Sequence, residues 1–181
     1  MIKFGPSGNS RSFYDMGYTT TLQTPKYLHD LGLEAFEYSF GRGNFFSMET
    51  GEAFGAEFAK YGIDVSVHAP YFINFANTED EKIAKSIGYV LSSLKRVKAM
   101  GGKRCVFHTG SVGKKTREEA FETTLKNIEF LLAAVYQSGY GDMILCPETM
   151  GKINQIGTVD EILRICKIDK IFIPTFDFGH I

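Results

Sequence analysis

Three of the four histidines in this 181-residue chain fall at the ends of β-like runs. His68 closes Val67-His-Ala-Pro70, His108 lies in Phe107-His-Thr-Gly110, and His180 follows the last apolar run. Two carboxylates are placed alike, Glu148 in Cys146-Pro-Glu148 and Asp177 in Thr175-Phe-Asp177. The steps from His68 through His108, Glu148 and Asp177 to His180 are 40, 40, 29 and 3 residues. The first three steps are each the length of one β-α unit, so the side chains recur at one level of successive strands. In parallel α/β folds the active face lies at the C-terminal strand ends. Imidazoles and carboxylates converging there make a divalent-metal site, with zinc ahead of manganese. A lone strand-end histidine is usually a hydrogen-bonded loop residue; it is the repetition that points to a metal. His29, between Leu28 and Asp30 in a helical stretch, reads as surface or packing only.

The elements that must position these residues follow from apolar patterning. Strands are expected at Ile2–Gly5, Ala35–Ser39, Val65–Ala69, Arg104–Thr109, Met143–Glu148 and Ile171–Asp177. They are short, rich in Val, Ile, Phe and Cys, and lack in-out alternation, which suits a parallel sheet buried on both faces. Five amphipathic helices lie between them. Ile83, Ile87, Val90, Leu91, Leu94 and Val97 recur at helical steps, as do Leu125, Ile128, Leu131, Leu132 and Val135. Thr78, Thr116 and Thr158, each with Glu three residues on, predict capping boxes. Thr24-Pro25 predicts a further helix start, and Gly32, Gly62, Gly101 and Gly139 predict left-handed helix ends. Repeated β-α alternation gives a parallel sheet with helices outside it. The two common phosphate-binding glycine signatures of open sheets are absent from the sequence.

Composition narrows the function classes. Hydrophobic residues are 44% and charged residues 23%, with a net charge of -1, so the surface is not basic throughout. The longest apolar run, Ile128 to Tyr136 with Glu129 inside it, is far short of the roughly 20 residues of a membrane helix. Cys105, Cys146 and Cys166 show no CxxC spacing and read as reduced packing thiols, with the cytoplasm the expected compartment. Basic residues collect in the loops after strands, at Arg42, Lys114, Lys115, Arg117 and Lys152, which allows local phosphate binding. Glu79, Asp80 and Glu81 read as a solvated helix start.

Four segments resemble the signatures of endonuclease IV, the family-2 apurinic/apyrimidinic endonucleases. They are His68-Ala-Pro-Tyr-Phe-Ile-Asn74, Phe107-His-Thr-Gly-Ser111, Pro147-Glu-Thr-Met-Gly-Lys152 and Asp177-Phe-Gly-His180, in matching order along the chain. The resemblance implies an α/β fold, a xylose-isomerase-like (β/α)8 TIM barrel. It further implies a trinuclear zinc centre that hydrolyses the DNA phosphodiester 5′ to an abasic site in base excision repair. Carried over by position, His68 and His108 bind one zinc, Glu148 bridges it to a second, Asp177 binds the second and His180 the third. Glu148 is then the catalytic residue, and Tyr71 and Arg42 are the DNA contacts. Asp177-Phe-Gly-His180 keeps both ligands but differs from the more usual Asp-Thr-Cys-His between them. The chemistry agrees with the resemblance: two metals about 3.5–4 Å apart can serve both the attacking and the leaving oxygen of a phosphodiester.

A TIM barrel has eight strands and about 250 residues, and six strands are expected here. The reading is therefore a single incomplete barrel domain over residues 1–181, lacking two β-α units that in the family carry the remaining ligands. Such a chain is expected to expose strand edges, to be poorly soluble or oligomeric alone, and to have little nuclease activity. Double-stranded DNA with abasic sites is the expected partner, with neither a membrane nor a protein partner inferred. The alternative is a sugar isomerase or epimerase of the same superfamily using one or two divalent metals, often manganese. The His68 and His108 pair favours the nuclease. An inert binding module is the third option.

Overall fold

The computed structural model describes residues 2–181. Its centre is a parallel sheet of β1 (Ala35–Ser39), β2 (Asp64–His68), β3 (Arg104–Phe107) and β5 (Ile144–Pro147), in that order. The sheet is extended at both sides by segments that make isolated bridges. Ser7 bridges Glu37, and Phe172 and Thr175 bridge Leu145 and Glu148, all in parallel. The expected order of six strand positions is thus present, with two corrections. Neither Ile2–Gly5 nor Ile171–Asp177 is a regular strand; a proline directly follows the first segment and another lies within the second. Pro6 and Pro174 lack the N–H that a ladder needs. Phe4 and Pro6 still accept bonds from β1 through their carbonyls, and Thr175 N–H still donates to Pro147. β1 has its expected range, whereas β2, β3 and β5 end one or two residues earlier than expected, which leaves His108 and Glu148 just past their strands.

Six helices flank the sheet: α1 (Arg11–Asp15), α2 (Thr24–Asp30), α3 (Met48–Lys60), α4 (Asp80–Ala99), α5 (Arg117–Gln137) and α6 (Val159–Cys166). The last five match expectation; α1, capped by Ser10, was not foreseen because five residues carry too little periodicity. The boxes at Thr116 and Thr158 form as expected. That at Thr78 does not: Glu79 is the N-cap of α4 and makes no side-chain cap bond. Asp80 and Glu81 complement the helix dipole in its first turn instead. Gly32, Gly62, Gly101 and Gly139 all have φ between 68° and 76°, the left-handed ends the sequence predicts.

Strand register places alternate residues on the two faces of the sheet. Phe36, Val65, Val67, Cys105, Phe107 and Leu145 face the helices and pack with Phe58, Leu94, Val97, Ile128, Leu131 and Ile162 in one buried core. The opposite face carries Glu37, Ser66, Arg104, Ile144 and Cys146, a more polar set. The buried apolar face sets the register, since a slip by one residue would exchange the two faces. That same register fixes which side chains reach the C-terminal rim. A second feature, unforeseen in the sequence, is an antiparallel pair of two-residue strands, β4 (Gly110–Ser111) and β6 (Gln155–Ile156). It joins the loop that follows β3 to the loop that follows β5.

Candidate metal centre

His68 is the last residue of β2, and its Nδ1 lies 2.7 Å from the Ala69 carbonyl. A carbonyl only accepts, so Nδ1 carries the proton and Nε2 is the free ligating nitrogen. That Nε2 sits 3.1 Å from Glu148 Oε2. His108 Nε2 lies 3.1 Å from the same oxygen. The two imidazoles meet edge to face at 5.0 Å between centroids. Side-chain exposure is 11% for His68, 17% for His108 and 10% for Glu148, so the triad is largely shielded from water.

Burial alone would push the Glu148 carboxyl up. Hydrogen bonds from His108 and His68 outweigh it and bring the carboxyl down to about 2. Burial pulls the His68 imidazole down, but its bonds to Glu148 and the Ala69 carbonyl outweigh that and leave it raised. When His68 carries its second proton, its Nε2–H donates to Glu148 Oε2. A divalent cation in this place must displace that proton. Zinc binding is therefore expected to release protons and to tighten as pH rises through and above 6.5, the ordinary imidazole value from which His68 is raised. Calorimetric titration in two buffers of different ionisation heat measures the release; zinc uptake without proton release would refute it.

Asp177 and His180 also approach Glu148. Two groups, His68-His108-Glu148 and Glu148-Asp177-His180, each place ligand-type atoms within 4.8 Å of one another, and they share Glu148. Thr149 organises the second group. Its Oγ1 accepts the Asp177 N–H at 2.9 Å, and its carbonyl lies 2.9 Å from His180 Nδ1. That contact makes Nε2 the free nitrogen of His180, as in His68. Asp177 Oδ1 accepts the Gly179 N–H, which tightens the turn between the two ligands. Thr149 was not singled out in the sequence, although it lies within a motif that was.

Tyr71 flanks the triad, and Arg42 lies in the loop after β1. The Tyr71 ring stacks on His108 at 5.7 Å and 25° and is 53% exposed, and its N–H bonds the Gly41 carbonyl beside Arg42. The Arg42 side chain is exposed on that loop. Of the basic loop residues, Lys114 and Lys152 are exposed. Lys115 and Arg117 are not available as phosphate ligands, which corrects the sequence reading. Lys115 Nζ donates to the Ala76 carbonyl and Thr123, and Arg117 is bound to Glu161 and two carbonyls. Cys105 and Cys146 are buried away from the rim. Burial raises Cys105 and pushes Cys146 up to about 12, so both stay protonated packing thiols. His29 is exposed on α2.

The profile of the xylose isomerase-like TIM barrels matches residues 25–181. This chain belongs to that family. An uncharacterized protein of Methanocaldococcus jannaschii is 31% identical over 183 residues, covering 100% of this chain and 63% of that protein. A Mycoplasma pneumoniae protein named probable endonuclease 4 is 35% identical over 92 residues, covering 50% of this chain and 30% of the other. Endonuclease IV from Thermus thermophilus superposes with a TM-score of 0.67 at 21% identity, over 97% of this chain and 61% of that one. A D-psicose 3-epimerase crystallised with D-fructose superposes at 0.76 with 13% identity, over 99% and 64%. These two likenesses show the barrel fold of the family. The chain spans less than two thirds of the length of each of these relatives. Among the described residues no helix is long and apolar enough to cross a membrane.

Proposed function

We propose that this xylose isomerase-like barrel is a metal-dependent apurinic/apyrimidinic endonuclease that cuts the DNA phosphodiester 5′ to an abasic site. The observation that carries the reading is the shared position of Glu148 between two ligand groups. A single carboxylate can bridge two cations, which is the arrangement a phosphodiester displacement uses. The partial identity to proteins named probable endonuclease 4 supports the same reading. Zinc suits His68, His108 and Glu148, a compact set with two imidazole nitrogens facing one carboxylate oxygen. Bound there, the metal supplies Lewis acidity beside the phosphate.

The chain's own residues do the rest. His68, His108, Glu148, Asp177 and His180 hold and charge the site, and Tyr71 and Arg42 contact the distorted duplex from the open side. The chain accounts for about six of the eight strands of a TIM barrel. Ile2 and Phe4 at one side of the sheet and Phe176 and Phe178 at the other are exposed apolar surface that further β-α units would cover. The full protein acts on double-stranded DNA in the cytoplasm.

The test is incubation of the zinc-loaded full-length protein with a duplex carrying one tetrahydrofuran abasic analogue. Incision 5′ to the analogue, lost on chelation and restored by zinc, is expected. No incision, together with epimerisation of a ketose in the presence of manganese, would replace this reading by the sugar epimerase one.

A further inference from the structure

A polar cavity of about 270 Å³ opens beside His108, lined by Asn74, Ser111 and Gln155 as well as Tyr71 and Phe72. Its floor is the short β4–β6 pair, in which Ser111 stands directly opposite Gln155. Opposed residues of an antiparallel pair carry their side chains on the same side. The floor is held rigidly. Asn74 Oδ1 accepts the N–H groups of Ala76 at 3.0 Å and Ser111 at 3.1 Å. Thr109 Oγ1 donates to the Ile156 carbonyl at 2.7 Å, and Arg117 donates to the Gln155 carbonyl at 3.0 Å.

Two donors are left facing the cavity. Asn74 Nδ2 donates to Ser111 Oγ at 3.3 Å, so the serine acts as acceptor there and its own hydrogen is free. The Gln155 side-chain amide has no hydrogen-bond partner among the described residues. Neutral donors of this type are common ligands of phosphate oxygens. We propose that this cavity is a subsite for a second, non-reacting phosphodiester of the bound DNA strand, gripped by Ser111 and Gln155 while the reacting phosphate lies at Glu148. The assignment rests on the nuclease reading and adds to it the residues that set the strand's register.

The experiment uses the zinc-loaded full-length protein and the tetrahydrofuran duplex, with Ser111→Ala, Gln155→Ala and the isosteric Gln155→Glu, each checked for an unchanged thermal midpoint. KM is expected to rise about tenfold or more in each, the scale of one hydrogen bond to a charged group, with kcat within about threefold. Gln155→Glu raises it most, by repulsion. Neutral methylphosphonates are then placed singly along the strand. At one position the substitution raises KM for the wild type and adds nothing for Gln155→Ala. Unchanged KM in the variants, or equal methylphosphonate penalties in wild type and variant, overturns the subsite while leaving incision intact. Inorganic phosphate that competes in the wild type alone, without a methylphosphonate effect, reassigns the cavity to free phosphate and overturns the DNA assignment. Absence of incision by the wild type overturns the nuclease reading itself.

Discussion

On the proposed nuclease reading, Glu148→Gln is expected to abolish turnover, lowering the incision rate by at least about a thousandfold. The size follows from what the carboxylate does at its position. Its Oε2 alone faces both His68 and His108, and it belongs to both ligand groups. Glutamine has the same shape but no charge, so either ligand group would hold a cation less well. Losing several kcal/mol of charge stabilisation at the transition state corresponds to three or more powers of ten. Metal content per chain, measured by elemental analysis, is expected to fall with the rate. Full metal occupancy together with a wild-type rate would remove Glu148 from the centre of the site. The apo protein offers a second readout. Its carboxyl sits at about 2, below the ordinary 4.5, so this group's stabilisation is complete above 4.5 and is lost as pH falls toward 2. His68, being raised, contributes in the opposite sense: its share is complete below 6.5 and is lost as pH climbs through the raised value. Glu148→Gln removes the carboxyl slope and takes from His68 its largest raising contribution, leaving burial and the Ala69 carbonyl to act on the imidazole.

Arg117→Ala, at the first residue of α5, is expected to destabilise the fold by about 2–3 kcal/mol. Arg117 Nε and Nη2 grip both oxygens of Glu161 at 2.7 Å, and the remaining donors hold the Ile153 and Gln155 carbonyls at 2.9 and 3.0 Å. The Glu161 side chain is only 10% exposed and also accepts the N–H groups of Gly157 and Thr158. Removing one partner of a buried pair costs about 3–5 kcal/mol. The 37% exposure of Arg117 screens part of that. Unfolding is expected at roughly 5–10 °C below wild type, read by calorimetry. Arg117→Lys does not rescue it, since one ammonium cannot match a two-oxygen grip. Burial pushes Glu161 up, but Arg117 and the two N–H donors more than offset it and hold the carboxyl low. Stability from this pair is therefore present above about 4.5 and lost as pH falls through the lowered value. The variant loses its stability at higher pH than wild type. An unchanged midpoint would show that the β4–β6 pair holds without the clamp.

Arg117 also marks where reading residues one at a time stops working. As a cation in a loop it looked like a phosphate ligand, yet it is spent on Glu161, 44 residues away, and on two carbonyls. Local sequence reports which groups a residue has, not which partner reaches it first. The same limit explains α1, the two-residue strands β4 and β6, and Thr149, each set by contacts too short or too distant to leave a periodic trace.

The linear chain determined the alternation of strands and helices, the helix ends at glycine, and the placing of His68, His108 and Glu148 at or just past strand ends, with Asp177 and His180 after the last strand position. Those follow from backbone geometry and apolar spacing, which act within a few residues. Only the tertiary structure decided that two imidazole nitrogens point at one oxygen of Glu148, which basic side chains stay free, and that Ser111 and Gln155 face each other across a cavity. Those outcomes depend on parallel register and on competition among donors for a limited set of acceptors, and both are settled only when distant segments pack.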